Sequence, residues 1–133
     1  MTDTPVVWLV DDDSDDQLII RVLLRNFTPS VRIKTLHDGN ELLFALQQAD
    51  PLPKLILLDL HMKHMDGFKA LKQVRAQPAF QALPIVVLTN SVVSDDREEA
   101  IRLGANGFLS KFNQMAELST QLKQLMTEWG VLP

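Results

Sequence analysis

Apolar runs of strand length alternate with amphipathic stretches along the chain. The runs at 6–10, 55–58 and 84–88 are apolar throughout, which is typical of strands covered on both faces of a sheet. Residues 31–36 alternate apolar and polar positions, as expected of a strand with one face in water, and a short fifth run covers 107–110. A stretch with helical spacing follows each run, at 15–27, 40–49, 67–77, 95–103 and 114–129. Strand and helix in alternation, five times over, predict an α/β fold with a doubly wound five-stranded parallel sheet.

Local signals predict the ends and faces of several helices. The first helix is predicted to bury one apolar stripe, made of Leu18, Ile19, Val22, Leu23 and Phe27. Ser14 and Gln17 have the spacing of a capping box at its start. Pro78 is expected to end the third helix, and Gly104 to end the fourth in a left-handed cap.

The composition is average for a globular domain. The 133 residues fit a single domain over 1–133, and no output domain is expected beside it. Hydrophobic residues at 46% and charged residues at 23% exclude a disordered tail, and the absence of cysteine excludes disulfides and thiol chemistry. No apolar run approaches the ~18 residues that a membrane span needs, and the N-terminus lacks a secretory signal. We therefore expect a cytoplasmic protein without a membrane partner.

Negative charge is concentrated in one segment of the chain. The formal net charge is −4, and five of the 17 acidic residues fall within 11–16. Lys and Arg are scattered and form no stripe, so nucleic acid is not an expected partner. An acidic run is commonly a solvated loop, but this one directly follows a predicted strand, which suggests a chemical role.

Reactive side chains stand at the ends of four of the five predicted strands. Asp11 and Asp12 follow the first strand, Asp59 the third, Thr89 the fourth and Lys111 the fifth. The carboxyl ends of parallel strands meet at one edge of the sheet. Three carboxylates there repel one another unless a cation lies among them, and ligands that are all oxygen favour Mg²⁺ or another hard divalent ion. The pattern predicts a phosphoryl-transfer site in which Asp59 is the candidate nucleophile.

The motifs around these residues resemble the receiver domain of bacterial two-component response regulators, in its stand-alone form. The resemblance is carried, in chain order, by residues 9–13, 58–62 with 65–67, 87–89 and 107–111. It implies a flavodoxin-like (βα)5 fold with strand order 2-1-3-4-5. It also implies that Asp59 accepts a phosphoryl group from a phosphohistidine, and that Mg²⁺ or Mn²⁺ is held by Asp11, Asp12, Asp59 and the backbone carbonyl of His61.

The same resemblance implies a switch and its partners. Thr89 and Lys111 would bind phosphoryl oxygens, and Phe108 would rotate inward when Thr89 moves toward the phosphate. The implied partners are a sensor histidine kinase or phosphotransfer protein as donor, and a downstream protein or a second copy of the chain as target. Such a domain catalyses its own phosphorylation and dephosphorylation without being an enzyme for a separate substrate.

Three positions depart from the family pattern. Phe112 stands where a proline usually follows the lysine, and Lys63 replaces another frequent proline, so the shapes of both loops are left open. His61 stands where asparagine is common. The three-residue spacing of His61 and His64 could suggest a transition-metal site, but the absence of a third nearby histidine and of cysteine argues against one.

Two other functions fit the sequence less well than a phosphoacceptor. A haloacid-dehalogenase-type phosphatase would use Asp11 as nucleophile and Asp13 as acid, and would leave Asp59 without a role. It also needs an acidic pair after the lysine, where the chain offers only the widely separated Glu117 and Glu128. A phosphorylation-independent scaffold normally loses an acidic or lysine position, and none is lost here.

Overall fold

A computed structural model describes residues 6–62, 66–89, 94–111 and 115–131 of the 133-residue chain. Its strands are β1 (Val6–Val10), β2 (Arg32–Leu36), β3 (Leu55–Leu58), β4 (Ile85–Thr89) and β5 (Gly107–Ser110). Its helices are α1 (Ser14–Phe27), α2 (Asn40–Gln48), α3 (Gly67–Arg75), α4 (Ser94–Arg102) and α5 (Met115–Glu128), with a 3₁₀ turn at Pro78–Phe80. The predicted alternation of strand and helix is confirmed.

The five strands form one parallel sheet in the order β2-β1-β3-β4-β5. Val10 pairs with Leu36 on one side and with Leu58 on the other. At the far side of the sheet Thr89 pairs with Ser110. The carboxyl ends of the strands therefore line up along one edge, and the predicted flavodoxin-like doubly wound fold is confirmed.

Both faces of the sheet are covered by helices, which explains why the central strands are apolar throughout. Trp8 and Val10 of β1 point into a core with α2, α3 and α4, whereas Val7 and Leu9 point into a second core with α1 and α5. All four residues of β3 are fully buried. Burial of one such side chain contributes roughly 1.5–3 kcal/mol. No helix within the described ranges has the length and apolar character needed to cross a membrane.

The buried face of α1 differs from the predicted one. Three members of the predicted stripe are exposed, by 57%, 40% and 49%: Leu18, Ile19 and Val22. The helix instead turns Gln17, Ile20 and Leu24 inward, and Leu23 is buried as expected. The prediction was wrong because the polar Gln17 occupies the inward position of the first turn. The apolar residues alone therefore do not indicate which side of the helix faces the core. The side chain of Phe27 lies outside the described part of the structure.

Arg75 joins three segments at the end of α3. The helix ends there, before Pro78, which begins the 3₁₀ turn. The guanidinium donates to the carbonyls of Gly104 at 3.0 Å and Phe80 at 2.6 Å, and to Asn106 Oδ1 at 2.9 Å. Gly104 has φ +107°, as predicted for a left-handed cap. This junction fixes α3 and α4 relative to β5.

Candidate functional site

Three carboxylates lie together at the carboxyl edge of the sheet. Asp11 follows β1 and is 1% exposed, Asp59 follows β3 and is 7% exposed, and Asp12 is half-buried. One oxygen of each carboxylate lies within 4.8 Å of the others. Buried oxygen ligands at this spacing fit a hard divalent cation, so the structure brings together the acidic residues that the sequence singled out.

The end of β1 is held in place by hydrogen bonds of its main chain. The Asp11 N–H donates to the Leu36 carbonyl at 3.0 Å, and the Gln17 side-chain amide donates to the carbonyls of Asp11 at 2.6 Å and Leu36 at 3.2 Å. The Asp13 N–H donates to Asp11 Oδ1 at 2.9 Å. Gln17 thus ties α1 to the ends of both strands, a role that the sequence did not predict, while the Asp13 N–H holds the Asp11 carboxylate.

The start of α1 differs from the predicted capping box. The N-cap is Asp13, whose carboxylate accepts hydrogen bonds from the N–H groups of Asp15 at 2.9 Å and Asp16 at 3.1 Å. Ser14 is the first helical residue, so the box from Ser14 to Gln17 was wrong. Asp13 is favoured because a carboxylate satisfies N–H groups of the first turn that have no partner within the helix. The cap places Asp16 beside the acidic residues.

Lys111 brings a buried ammonium into the acidic cluster. Its side chain is 7% exposed, and its ammonium forms ion pairs with Asp11, with Asp16 at 2.9 Å and with Asp59 at 3.8 Å. The Lys111 N–H donates to the Thr89 carbonyl at 2.8 Å, which fixes the end of β5 against β4. Asp16 was not among the predicted site residues. A helix that starts directly after a strand end brings its first turn back over that end, but which residue of that turn faces the site depends on the rotation of the helix about its axis.

The titration behaviour of the cluster follows from burial. Burial raises the pKa of Asp11 to about 6, although hydrogen bonding to Lys111 opposes the change. Burial likewise raises the pKa of Asp59, against the charge of Lys111 and a hydrogen bond with Thr89. Burial alone would lower the pKa of Lys111, but its carboxylate partners outweigh burial and raise it. The ammonium therefore stays charged, and the negative charge around it is only partly compensated.

Thr89 and Phe108 occupy the neighbouring strands. Thr89 is the last residue of β4 and is fully buried. Phe108 lies on β5 opposite Val87 and is half-buried against the core that contains α3 and α4. Lys63, His64 and Phe112 lie outside the described ranges. The shapes of their two loops therefore stay open, and the argument against a metal site at His61 and His64 stays a prediction.

Comparison with known proteins decides the family. The response regulator receiver domain matches residues 7–123, which is most of the chain. The chain belongs to this receiver family. Receivers are signalling domains that act as phosphoacceptors in two-component systems and interact with histidine kinases and downstream targets.

Relatives of this receiver cover nearly the whole chain. Response regulator Rcp1 of Synechocystis sp. is 30% identical over 129 residues, covering 93% of this chain and 88% of the relative. The crystal structure of the phosphorylated cyanobacterial phytochrome response regulator RcpA aligns with TM-score 0.86 at 29% identity, covering 96% and 94% of the two chains. The Mn²⁺-bound form of Rcp1 aligns with TM-score 0.81 at 30% identity, covering 94% of each chain.

In this receiver, the first residue of α3 lies directly against the main chain of Asp59. The Gly67 N–H donates to the Leu60 carbonyl at 2.6 Å. A Cβ on Gly67 would overlap the Asp59 carbonyl oxygen and come within 2.6 Å of Leu60 Cα. Asp66 caps the helix by accepting from the Lys69 N–H at 2.8 Å. The absence of a side chain at Gly67 is therefore what allows α3 to start this close to the site.

His61 links the loop after β3 to α4. Its N–H donates to Asp59 Oδ1 at 3.4 Å, and its imidazole pairs with Asp96 at 3.1 Å. The ring also meets Phe68 edge-on, with 6.5 Å between centroids. The segment that carries the predicted backbone metal ligand is thus attached to a helix on the other side of the site.

Proposed function

We propose that Asp59 is the phosphoacceptor of this receiver. A carboxylate oxygen of Asp59 would attack the phosphorus of a phosphohistidine; the new O–P bond forms, the N–P bond breaks and the imidazole leaves. Water later attacks the phosphorus, the O–P bond breaks, and the carboxylate and inorganic phosphate are released. The observation that carries this proposal is the position of Asp59 at a buried strand end, clustered with the carboxylates of Asp11 and Asp12 and 3.8 Å from the ammonium of Lys111.

The acidic cluster suits a divalent cation, and we infer that the ion is Mg²⁺. Asp11, Asp12, Asp59 and the backbone carbonyl of His61 would hold it, and the bound ion would neutralise charge on the phosphoryl oxygens. Mn²⁺ would also fit, and the relative Rcp1 has a Mn²⁺-bound form. The cluster that could hold a metal within the described residues includes neither Glu117 nor Glu128, so no observation favours the phosphatase.

Thr89 and Lys111 would respond to the new charge. A phosphoryl group adds nearly two negative charges and three acceptor oxygens. The Thr89 hydroxyl and the Lys111 ammonium would turn toward these oxygens, and the half-buried Phe108 would follow. A changed surface around α4 and β5 would then select a downstream protein or a second copy of the chain. The domain would catalyse its own phosphorylation and dephosphorylation.

The donor would be a histidine kinase or phosphotransfer protein in the cytoplasm. The relative RcpA is a phytochrome response regulator. A phytochrome-type histidine kinase is therefore the first donor to test.

Incubation with acetyl phosphate and Mg²⁺ should add one phosphoryl group to the protein, measured by intact mass. Asp59→Asn should abolish the addition because an amide oxygen is a poor nucleophile. Glu41→Gln is the matched control, since it neutralises an exposed carboxylate in the first turn of α2 and should leave labelling unchanged. Labelling of Asp59→Asn at the wild-type level would refute the assignment.

A further inference from the structure

Asp16 is a charged partner of Lys111 that has no part in the proposed chemistry. The two form an ion pair at 2.9 Å, and the Asp16 side chain is 26% exposed, so it is shielded from much of the solvent. Lys111 lies closer to Asp16 than to Asp59, which is 3.8 Å away. The ammonium therefore lies against Asp11 and Asp16, where β1 leads into α1, and farther from Asp59.

We propose that Asp16 is a positioning residue that holds Lys111 back from Asp59 in the unphosphorylated receiver. It thereby lowers the affinity of the site for a phosphoryl mimic and destabilises the phosphorylated state. This inference rests on the proposed role of Asp59. It concerns the stability of the phosphorylated state relative to the unphosphorylated one, and not which residue is phosphorylated.

The direction of the effect follows from competition for one ammonium. A phosphoryl group on Asp59 offers Lys111 several charged oxygens. To bind them, the ammonium must break or weaken its ion pair with Asp16. Asp11 is a candidate metal ligand, so Asp16 is the partner that competes with the phosphoryl group for Lys111 once a cation is bound. An ion pair that is stronger in the unphosphorylated state stabilises that state, and so lowers the apparent affinity of the receiver for a phosphoryl mimic.

Asp15 provides a matched control because it has the same charge one position earlier. Both residues lie in the first turn of α1, where each carboxylate interacts with the helix dipole. Asp15 is exposed, and the ion pairs of Lys111 with described residues involve Asp11, Asp16 and Asp59 but not Asp15. A general loss of negative charge therefore affects both variants, whereas release of Lys111 affects only one.

The test is a titration with fluoroberyllate, a phosphoryl mimic, at saturating Mg²⁺. Asp16→Asn should lower the half-saturating fluoroberyllate concentration by roughly fivefold or more, whereas Asp15→Asn should leave it near the wild-type value. Asp16→Glu, which keeps the charge, should stay closer to wild type than Asp16→Asn. In a Lys111→Ala background the gain from Asp16→Asn should disappear, because the effect is transmitted through that ammonium.

The metal-free protein gives a second readout. The NMR resonance of the Lys111 ammonium should shift in Asp16→Asn and stay in place in Asp15→Asn. If Asp16→Asn does not fold, Asp16→Ser removes the same charge and serves in its place.

Unchanged or weaker fluoroberyllate binding by Asp16→Asn overturns the proposal, as does an equal gain in Asp15→Asn or a gain that persists with Lys111→Ala. Failure of the wild-type receiver to bind fluoroberyllate would count against the proposed function as well. Normal wild-type binding with no gain in Asp16→Asn would refute the role of Asp16 alone.

Discussion

A residue without a side chain helps to place Asp59, the proposed acceptor. Gly67 begins α3 with its N–H bonded to the Leu60 carbonyl and its Cα against the main chain of Asp59. The carboxylate of Asp59 points into the acidic cluster, while its own carbonyl faces the helix start. A side chain at Gly67 would therefore push against the main chain of Asp59, on the side away from the acidic cluster.

Gly67→Ala should lower the rate of phosphorylation by acetyl phosphate by roughly tenfold or more, because its Cβ overlaps the Asp59 carbonyl and would displace the proposed acceptor. Gly107→Ala is the control, since its Cβ would meet Val86 at an ordinary 3.5 Å. Rates are compared by time courses of intact mass. A Gly67→Ala rate equal to that of Gly107→Ala would show that the contact does not constrain the acceptor.

Individual residues differed in how far the sequence revealed their roles. Asp59 and Lys111 could be singled out because each follows a short apolar run, and parallel strands end at one edge. Asp16 and Gln17 could not, because their roles depend on the rotation of α1 about its axis. The apolar residues Leu18, Ile19 and Val22 predict a rotation that buries them, whereas in the structure all three are exposed.

At the scale of elements, the sequence predicted every strand and helix and the bounds of β1, β3 and β5, but it misplaced the ends of several other elements. The fourth strand was expected over 84–88, and the structure places it at Ile85–Thr89, so that Thr89 belongs to the strand itself. The third helix was expected to reach residue 77, yet it ends at Arg75. At the end of α3 the Arg75 side chain donates to Gly104 and Asn106, which are 29 and 31 residues away in the chain, and bonds of this kind leave no local signal in the sequence.

Arg75→Met should lower the free energy of unfolding by about 2 kcal/mol, because it keeps an apolar stem but leaves the carbonyls of Gly104 and Phe80 without their charged donor. The measurement is urea denaturation. Arg102→Met is the control, because Arg102 is exposed on α4 and pairs with Glu99 of the same helix. Its effect should be small. Equal destabilisation by both variants would contradict a special role for the junction.

For the whole molecule, the site is a source of unfavourable electrostatics that a cation can relieve. Burial raises the pKa values of Asp11 and Asp59, which means that their charged forms are disfavoured in the folded state. Lys111 compensates part of this charge. A divalent ion bound by the folded chain alone should therefore stabilise the entire domain.

Mg²⁺ at about 100 times its dissociation constant should stabilise the wild-type receiver by about 2.7 kcal/mol, seen as a higher Tm. Asp12→Ala should reduce this response at the same Mg²⁺ concentration because it removes one of the three clustered carboxylates. Glu41→Gln should retain the full response. An undiminished rise of Tm in Asp12→Ala would argue against Asp12 as a ligand.

The ion pair between Lys111 and Asp11 joins positions that are 100 residues apart. A ribosome therefore makes Asp11 and Asp59, which follow β1 and β3, long before it makes Lys111, whose ammonium compensates their charge. A nascent chain that has not yet added β5 lacks this counter-charge, so the competence to receive a signal arises only when synthesis of the fold is nearly complete.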